Sequence, residues 1–166
     1  MRTAVALGSN LGDRLYNLRA ARKAILHAPN VKPPIFSSAI YETEPVGCEA
    51  GAEKFLNAVV EFEFQGDPVI LIEQLTGIEE ALGRKRDHPK NVSRTIDLDL
   101  LYCGNERIDS ERLQLPHPRI HLRKFVLQPL ADIRPDLALP GKRKTVRELL
   151  EKLEEPDDAV RFMDEW

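Results

Sequence analysis

The sequence predicts an α+β fold, a ferredoxin-like βαββαβ sandwich with a C-terminal helical extension. Four segments carry strand patterning and two segments between them carry helical patterning, in the order β-α-β-β-α-β. Both helices follow strands, which lets them pack together against one shared sheet. The 166 residues show no internal repeat and no low-complexity linker, so a single domain over 1–166 is expected, long enough to bury a core.

The first strand is "TAVALGS" (3–9), short, apolar and ended by Gly8. In "NLGDRLYNLRAARKAIL" (10–26), Leu11, Leu15, Leu18, Ala21 and Ile25 fall at helical spacing with Arg and Lys on the other face. Asn10 or Asp13 is placed to cap that helix, and "NVKPP" (30–34) breaks it. "IFSSAIYETE" (35–44) and "FLNAVVEFEF" (55–64) are rich in β-branched and aromatic residues and read as strands. In the second, Leu56, Ala58, Val60, Phe62 and Phe64 share one face; Phe55, Asn57, Val59, Glu61 and Glu63 share the other. The segment between them, "PVGCEAGAEK" (45–54), is too long for a tight hairpin and is expected as a loop.

"DPVILIEQLTGIEEALG" (67–83) offers Asp67 as N-cap, Pro68 at the first helical position and Gly83 as the stop. Its buried stripe is Leu71, Leu75, Ile78 and Leu82. A basic stretch, "RKRDHPKNVSR" (84–94), then leads into a strand at 95–102. Beyond it a short helix is expected near 122–132, and "TVRELLEKLEE" (145–155) reads as a terminal helix.

Composition narrows the function classes. A chain with 42% apolar and 31% charged residues and a net charge of −3 has no global pull toward nucleic acid or a membrane surface. Cys48 and Cys103 lack metal-ligand or redox spacing and read as free thiols of a reducing compartment. Strand patterning from Thr3 leaves no room for a signal peptide, and no apolar run approaches ~18 residues. A cytoplasmic chain acting as a monomer on small molecules is expected.

The acidic strand is the unusual feature. In "TIDLDLLY" (95–102), Thr95, Asp97, Asp99 and Leu101 alternate to one face, while Ile96, Leu98, Leu100 and Tyr102 are expected to face the core. The two aspartate α-carbons would stand roughly 6.7 Å apart. At an effective dielectric near 20, like charges at that separation repel by about 2.5 kcal/mol. Cations must compensate: an oxygen-liking metal such as Mg²⁺ on both carboxylates, or the nearby Arg84, Arg86 and Arg94 in structural ion pairs. The basic stretch bears on the choice. Arg84, Lys85, Arg86, Lys90 and Arg94 stand against Asp87 alone, directly before the acids. A cationic loop feeding a di-acidic strand is what a phosphate–metal site requires, the loop taking phosphate oxygens and the acids the metal. No "GxxxxGK[ST]" is present, so the phosphates must be held by side chains.

Seven segments in order, "ALGSNLGDR" (6–14), "YETEPVG" (41–47), "FLNAVVEFE" (55–63), "GRKR" (83–86), "RTIDLDLLYCGNERI" (94–108), "LPHPRIHLRKFVLQPLADI" (115–133) and Pro135, resemble the 6-hydroxymethyl-7,8-dihydropterin pyrophosphokinase family of folate synthesis. The resemblance covers nearly the whole chain except the last ~20 residues, termini being generally variable. It implies the ferredoxin-like sandwich and a reaction in which ATP gives its β,γ-pyrophosphoryl unit to the pterin hydroxymethyl oxygen, leaving AMP. It also implies that Asp97 and Asp99 hold two Mg²⁺ ions, and that Arg84, Arg86 and Arg94 engage the phosphates. Arg112, His117 and Arg123 fall on nucleotide-contacting positions. Phe55 and Phe125 match the aromatic pair that stacks on the pterin, worth about 0.5–1.5 kcal/mol per contact. Thr43, Pro45 and Val46 match the pocket loop, and the Asn57 amide suits the aminopyrimidinone edge. Glu79 matches an acid near the nucleotide, or equally a half-buried ion pair with Arg84. Gly8, Ser9 and Asn10 read as the strand-to-helix turn beneath the site, without a part in the chemistry. Two departures fall in the basic loop: Asn91 stands where many members carry tryptophan, and Lys90 where arginine is frequent.

Two rival readings remain at this stage. One is another two-metal phosphoryl or nucleotidyl transferase. The other is a ferredoxin-like module gripping RNA through 84–94, which would want exposed sheet aromatics rather than paired acids.

Overall fold

The computed structural model describes residues 1–46, 48, 50–84, 93–153 and 159–166. Its centre is an antiparallel sheet in the order β5-β1-β4-β3-β8, with β2 also paired to β4. The strands are β1 (Arg2–Ser9), β2 (Val31–Ser37), β3 (Ile40–Thr43), β4 (Phe55–Phe64), β5 (Asp97–Cys103) and β8 (Val160–Met163). A separate hairpin joins β6 (Ile108–Asp109) to β7 (Gln114–Leu115).

Helices α1 (Arg14–Leu26) and α2 (Pro68–Ala81) cover one face. Asp13, not Asn10, caps α1 by accepting the Tyr16 N–H, and Leu11 lies outside the helix, 47% exposed. Asp67 caps α2 through the Val69 N–H, and Gly83 at φ +93° lets the chain leave, a conformation that a side chain disfavours. Beneath these helices Leu7, Leu18, Ile25, Leu56, Val60, Phe62, Leu71, Leu75 and Leu98 form one continuous apolar core.

The opposite face is covered at one end only. A 3₁₀ turn (Ile120–Leu122), α3 (Lys124–Ile133) and α4 (Val146–Glu151) pack Ile120, Val126, Leu127 and Leu130 against Ala4, Val59 and Leu101. α4 ends at Glu151, short of the terminal helix expected over 145–155, of which residues 154–155 lie outside the described residues. Buried Glu61 crosses this layer with its charge compensated: Arg2 donates at 2.8 Å, the Tyr102 hydroxyl at 2.6 Å, and Arg134 Nε lies 3.6 Å away.

Three expectations need correction. The strand expected over 35–44 is two strands, both paired to β4 and broken at Ser38–Ala39, where Ser38 satisfies the Val59 N–H and C=O. Tyr102 does not share the Leu98 face. Val5 pairs Leu100 but Ala4 pairs Tyr102, so Leu101 is an extra residue that turns Tyr102 to the α3 layer. Strand β8 was not expected at all. Among the described residues no helix is long and apolar enough to cross a membrane.

Candidate active site

The uncovered end of the α3 face holds the polar residues. Register places Asp97, Gly8, Asn57 and Tyr41 in one row across β5, β1, β4 and β3, with Asp99, Ala6 and Val59 in the next row. Glycine in that row matters: a Cβ on Gly8 would lie 3.1 Å from Asn57 Oδ1 and 3.7 Å from Phe55 Cδ1. Its absence leaves a hollow between the aspartates and the Asn57–Phe55 wall. Asn57 Nδ2 donates to Thr43 Oγ1 at 2.7 Å, which turns Oδ1 toward the hollow. Thr43 and Asn57 are buried and Phe55 is half-buried. Past the end of β3, Pro45 is half-buried and Val46 is 63% exposed.

Asp97 is held from both sides. Its Oδ1 accepts Arg84 Nη1 at 2.6 Å and its Oδ2 accepts Arg94 Nη1 at 2.9 Å. The same Arg84 nitrogen donates to Glu79 Oε1, which also accepts the Leu98 N–H at 2.7 Å. Asp99 Oδ2 accepts Arg123 Nη1 at 3.1 Å, with His117 Nε2 at 3.9 Å. Three acids therefore face three guanidinium groups, the cationic compensation that adjacent carboxylates need. His117 Nδ1 accepts the Arg119 N–H at 3.2 Å, an arrangement that assigns the neutral ring's proton to Nε2, on the Asp99 side.

Burial sets the titration of two groups here. It pushes the Glu79 carboxyl up to about 7, Asp97 adding to the rise against the Leu98 N–H and Arg84. Burial likewise pushes His117 down, helped by Arg123 and Arg119 and opposed by Asp99.

Among the described residues no three His, Cys, Asp or Glu side chains group closely enough to hold a metal ion. Two carboxylates at i and i+2 are nevertheless a sufficient protein share for Mg²⁺, which takes one or two carboxylates and completes its shell with phosphate and water. The donor set fits that group.

Of the residues singled out in the sequence, Arg84, Arg94, Asp97, Asp99, His117 and Arg123 come together in this cluster, with Glu79 behind them. Phe125 lies beside it, the Arg123 guanidinium 5.3 Å above its ring. Arg112 is exposed on the turn between β6 and β7, outside the ion-pair cluster. Arg86, Lys90 and Asn91 lie outside the described residues. Gly8 and Asn10, read from the sequence as part of the turn beneath the site, lie there: Gly8 beside Asn57 and Phe55, and Asn10 fully buried. An apolar groove of about 350 Å³ between α1 and α2, lined by Ala24, Ala28, Ile78 and Leu82, has the wrong chemistry for phosphate.

The model of the 7,8-dihydro-6-hydroxymethylpterin-pyrophosphokinase family matches residues 4–135. The chain belongs to that family. It is accordingly an enzyme, a pyrophosphokinase. A similar Bacillus subtilis protein, 2-amino-4-hydroxy-6-hydroxymethyldihydropteridine pyrophosphokinase, is 46% identical over 129 residues, 78% of this chain and 75% of that one. A Methylorubrum extorquens protein of the same name is 40% identical over 153 residues, covering 92% of this chain and 94% of the other. Among solved structures, wild-type Plasmodium falciparum HPPK-DHPS with pteroate superposes with a TM-score of 0.70 at 16% identity. That match covers 91% of this chain and 42% of the longer one, and it speaks for the fold.

Proposed function

We propose that this chain transfers the β,γ-pyrophosphoryl unit of ATP to the hydroxymethyl oxygen of 6-hydroxymethyl-7,8-dihydropterin, giving AMP and the pterin diphosphate in folate synthesis. The observation that carries the reading is one row of the sheet: Asp97, clasped by Arg84 and Arg94, faces Asn57 across the Gly8 hollow. One end of that row suits a metal-bound triphosphate and the other a flat heterocycle. We read the frame around it, strands β5-β1-β4-β3 with α1 and α2 on one face, as ferredoxin-like. Cys48 and Cys103 as thiols are in keeping with a reducing, cytoplasmic setting.

On the pterin side, Asn57 presents Oδ1 to the ring edge because Thr43 holds its Nδ2. Phe55 and Phe125 supply flat apolar faces for stacking, while Thr43, Pro45 and Val46 close the rim. On the nucleotide side, Asp97 and Asp99 would hold two Mg²⁺ ions, and the chemistry those would supply is charge neutralisation of the triphosphate. Arg84 and Arg94, which pair with Asp97 here, would engage phosphate oxygens once that carboxylate held the metal. His117 and Arg123 contact the nucleotide, and Arg86 and Arg112 are further contacts that the family resemblance implies. The hydroxymethyl oxygen, giving up its proton to solvent, attacks the β-phosphorus in line, the α–β bridging oxygen departs with AMP, and the arginines offset charge as it develops there.

The test is direct. Protein, Mg²⁺, ATP and the hydroxymethyl-dihydropterin are mixed and the nucleotide products separated. AMP and pterin diphosphate in equal amounts are expected; ADP in place of AMP would sink the assignment.

A further inference from the structure

We propose that the Thr95 hydroxyl is a further nucleotide contact, donating a hydrogen bond to a non-bridging phosphate oxygen of the bound triphosphate. The inference rests on the reading above only in giving this end of the sheet row to the nucleotide.

Thr95 Oγ1 is shut off from solvent and has no hydrogen-bond partner among the described residues. Buried hydroxyls are nearly always partnered, because an unpaired one forfeits its bonds to water and gains nothing in return. One other buried side-chain oxygen lacks a partner among the described residues, Gln74 Oε1, and that residue lines the apolar groove between α1 and α2. Thr95 stands at the site. Ile96 and Leu98 belong to the α1/α2 core, so Thr95 falls with Asp97 and Asp99 on the opposite face. It directly follows Arg94, whose guanidinium lies on Asp97.

The backbone gives this hydroxyl little room to find a partner elsewhere. The Arg94 N–H donates to Oδ1 of buried Asn10 at 2.8 Å, and the Arg94 carbonyl accepts the Asn10 N–H at 3.2 Å. On the other side Asp97 is held in register opposite Gly8. Thr95 is fixed between two anchored neighbours, where valine has the same branched shape and strands no polar atom. A hydroxyl can donate or accept, and what the nucleotide brings to this end of the row is acceptors. When Arg94 moves to phosphate, as proposed above, those oxygens arrive beside the residue that follows it. The bond then made is to an ionised oxygen, stronger than one between neutral groups.

The experiment measures the melting temperature of the free protein, and calorimetric binding of α,β-methylene-ATP with Mg²⁺, in wild type, Thr95→Val and Thr95→Ser. Free Thr95→Val is expected to melt no lower than wild type, because it strands no hydroxyl. It is expected to bind the analogue about tenfold to a hundredfold more weakly, the scale of one hydrogen bond to a charged group. Thr95→Ser keeps the hydroxyl and stays within about threefold of wild type. Pterin affinity without nucleotide stays within about twofold in both variants. Should valine prevent folding, Thr95→Ala carries the same comparison, with analogue affinity as its readout. Analogue binding at wild-type strength in Thr95→Val overturns the inference, as does an equal loss of pterin affinity or a serine variant as weak as valine. A free Thr95→Val that melts well below wild type also overturns it, since the hydroxyl then has a partner in the unliganded chain. If the variants behave as expected but wild type makes no AMP, the contact stands and the reaction falls.

Discussion

Asp97 lies at the centre of the charge arrangement, with a guanidinium group on each oxygen. Replacing it by asparagine removes the proposed metal ligand and the charge that both arginines pair with, but changes little volume. Because Asp97 is partly exposed, the stability cost is small, while turnover is expected to fall by roughly 10²–10³, the scale of losing one focused electrostatic contact in a reacting site. Rates of AMP formation at saturating substrate, beside a melting curve, check this; activity within a few-fold of wild type would remove the metal role. Behind it, Glu79 has a distinct signature. Its carboxyl titrates near 7 when folded, above its ordinary value of 4.5, so the folded chain binds the extra proton between those pH values. Stability is therefore lost as pH rises through that window, by about 3 kcal/mol in total. Glu79→Gln keeps an acceptor for the Leu98 N–H and is expected to flatten melting temperature against pH from 5 to 8. Parallel curves for the two proteins would count against the buried carboxyl. These residues were legible to different degrees. The aspartates and arginines announce themselves within a dozen residues, and the structure does gather Arg84, Arg94 and Asp97. Asn10 was legible only as part of the turn beneath the site, because its hydrogen-bond partners lie 43 and 84 positions away.

At the scale of elements, strict alternation made β4 readable to the residue, Phe55–Phe64, since its two faces meet two different helical layers. The same rule failed one strand away, where the extra residue Leu101 reversed Tyr102. A bulge depends on the partner strand, so the alternating pattern of β5 alone could not reveal it. Strand β8 was missed for a related reason. Its four residues are mostly exposed and carry little pattern; what holds them is the open edge of β3. Trp166 locks this strap in place. Its Nε1 donates to the Ser38 carbonyl at 2.8 Å, its carbonyl accepts Arg22 Nη1 at 2.9 Å, and Arg22 lies 5.3 Å over its ring. The strap covers an edge that would otherwise present unpaired backbone groups. Trp166→Ala is expected to cost about 2 kcal/mol in urea unfolding, and Trp166→Phe, which keeps the ring but not the donor, about half that. Unchanged midpoints in both would mean that the strap contributes nothing to stability.

For the whole molecule, one sheet serves both helical layers, and its uncovered corner is where the charges collect. The general α-and-β order was legible because each helix spaces its buried residues at the helical period and each strand at every second position. The uncovered corner was not, because it depends on where α3 stops covering the sheet, and no local pattern encodes that edge. This layout has a thermodynamic consequence. The α1/α2 core and the α3 core lie on opposite sides of the same strands, so neither can melt and leave the other's sheet intact. A single cooperative unfolding transition is expected, and a ligand in the corner should stabilise the entire chain through mass action. At a hundred times its dissociation constant, an unreactive ATP analogue adds about 2.7 kcal/mol. The proposed site makes that gain conditional: without Mg²⁺ the triphosphate meets Asp97 and Asp99 as like charges, so the shift in melting temperature should largely vanish when EDTA is added. Asp97→Asn should respond in the opposite sense, losing the Mg²⁺-dependent part while tolerating the metal-free nucleotide better, because one repelling carboxylate is gone. Differential scanning calorimetry of both proteins, with analogue and with or without Mg²⁺, reads all four states. A nucleotide-induced shift of equal size with and without the metal would show that the triphosphate is held by the arginines alone and that the acidic strand has some other purpose.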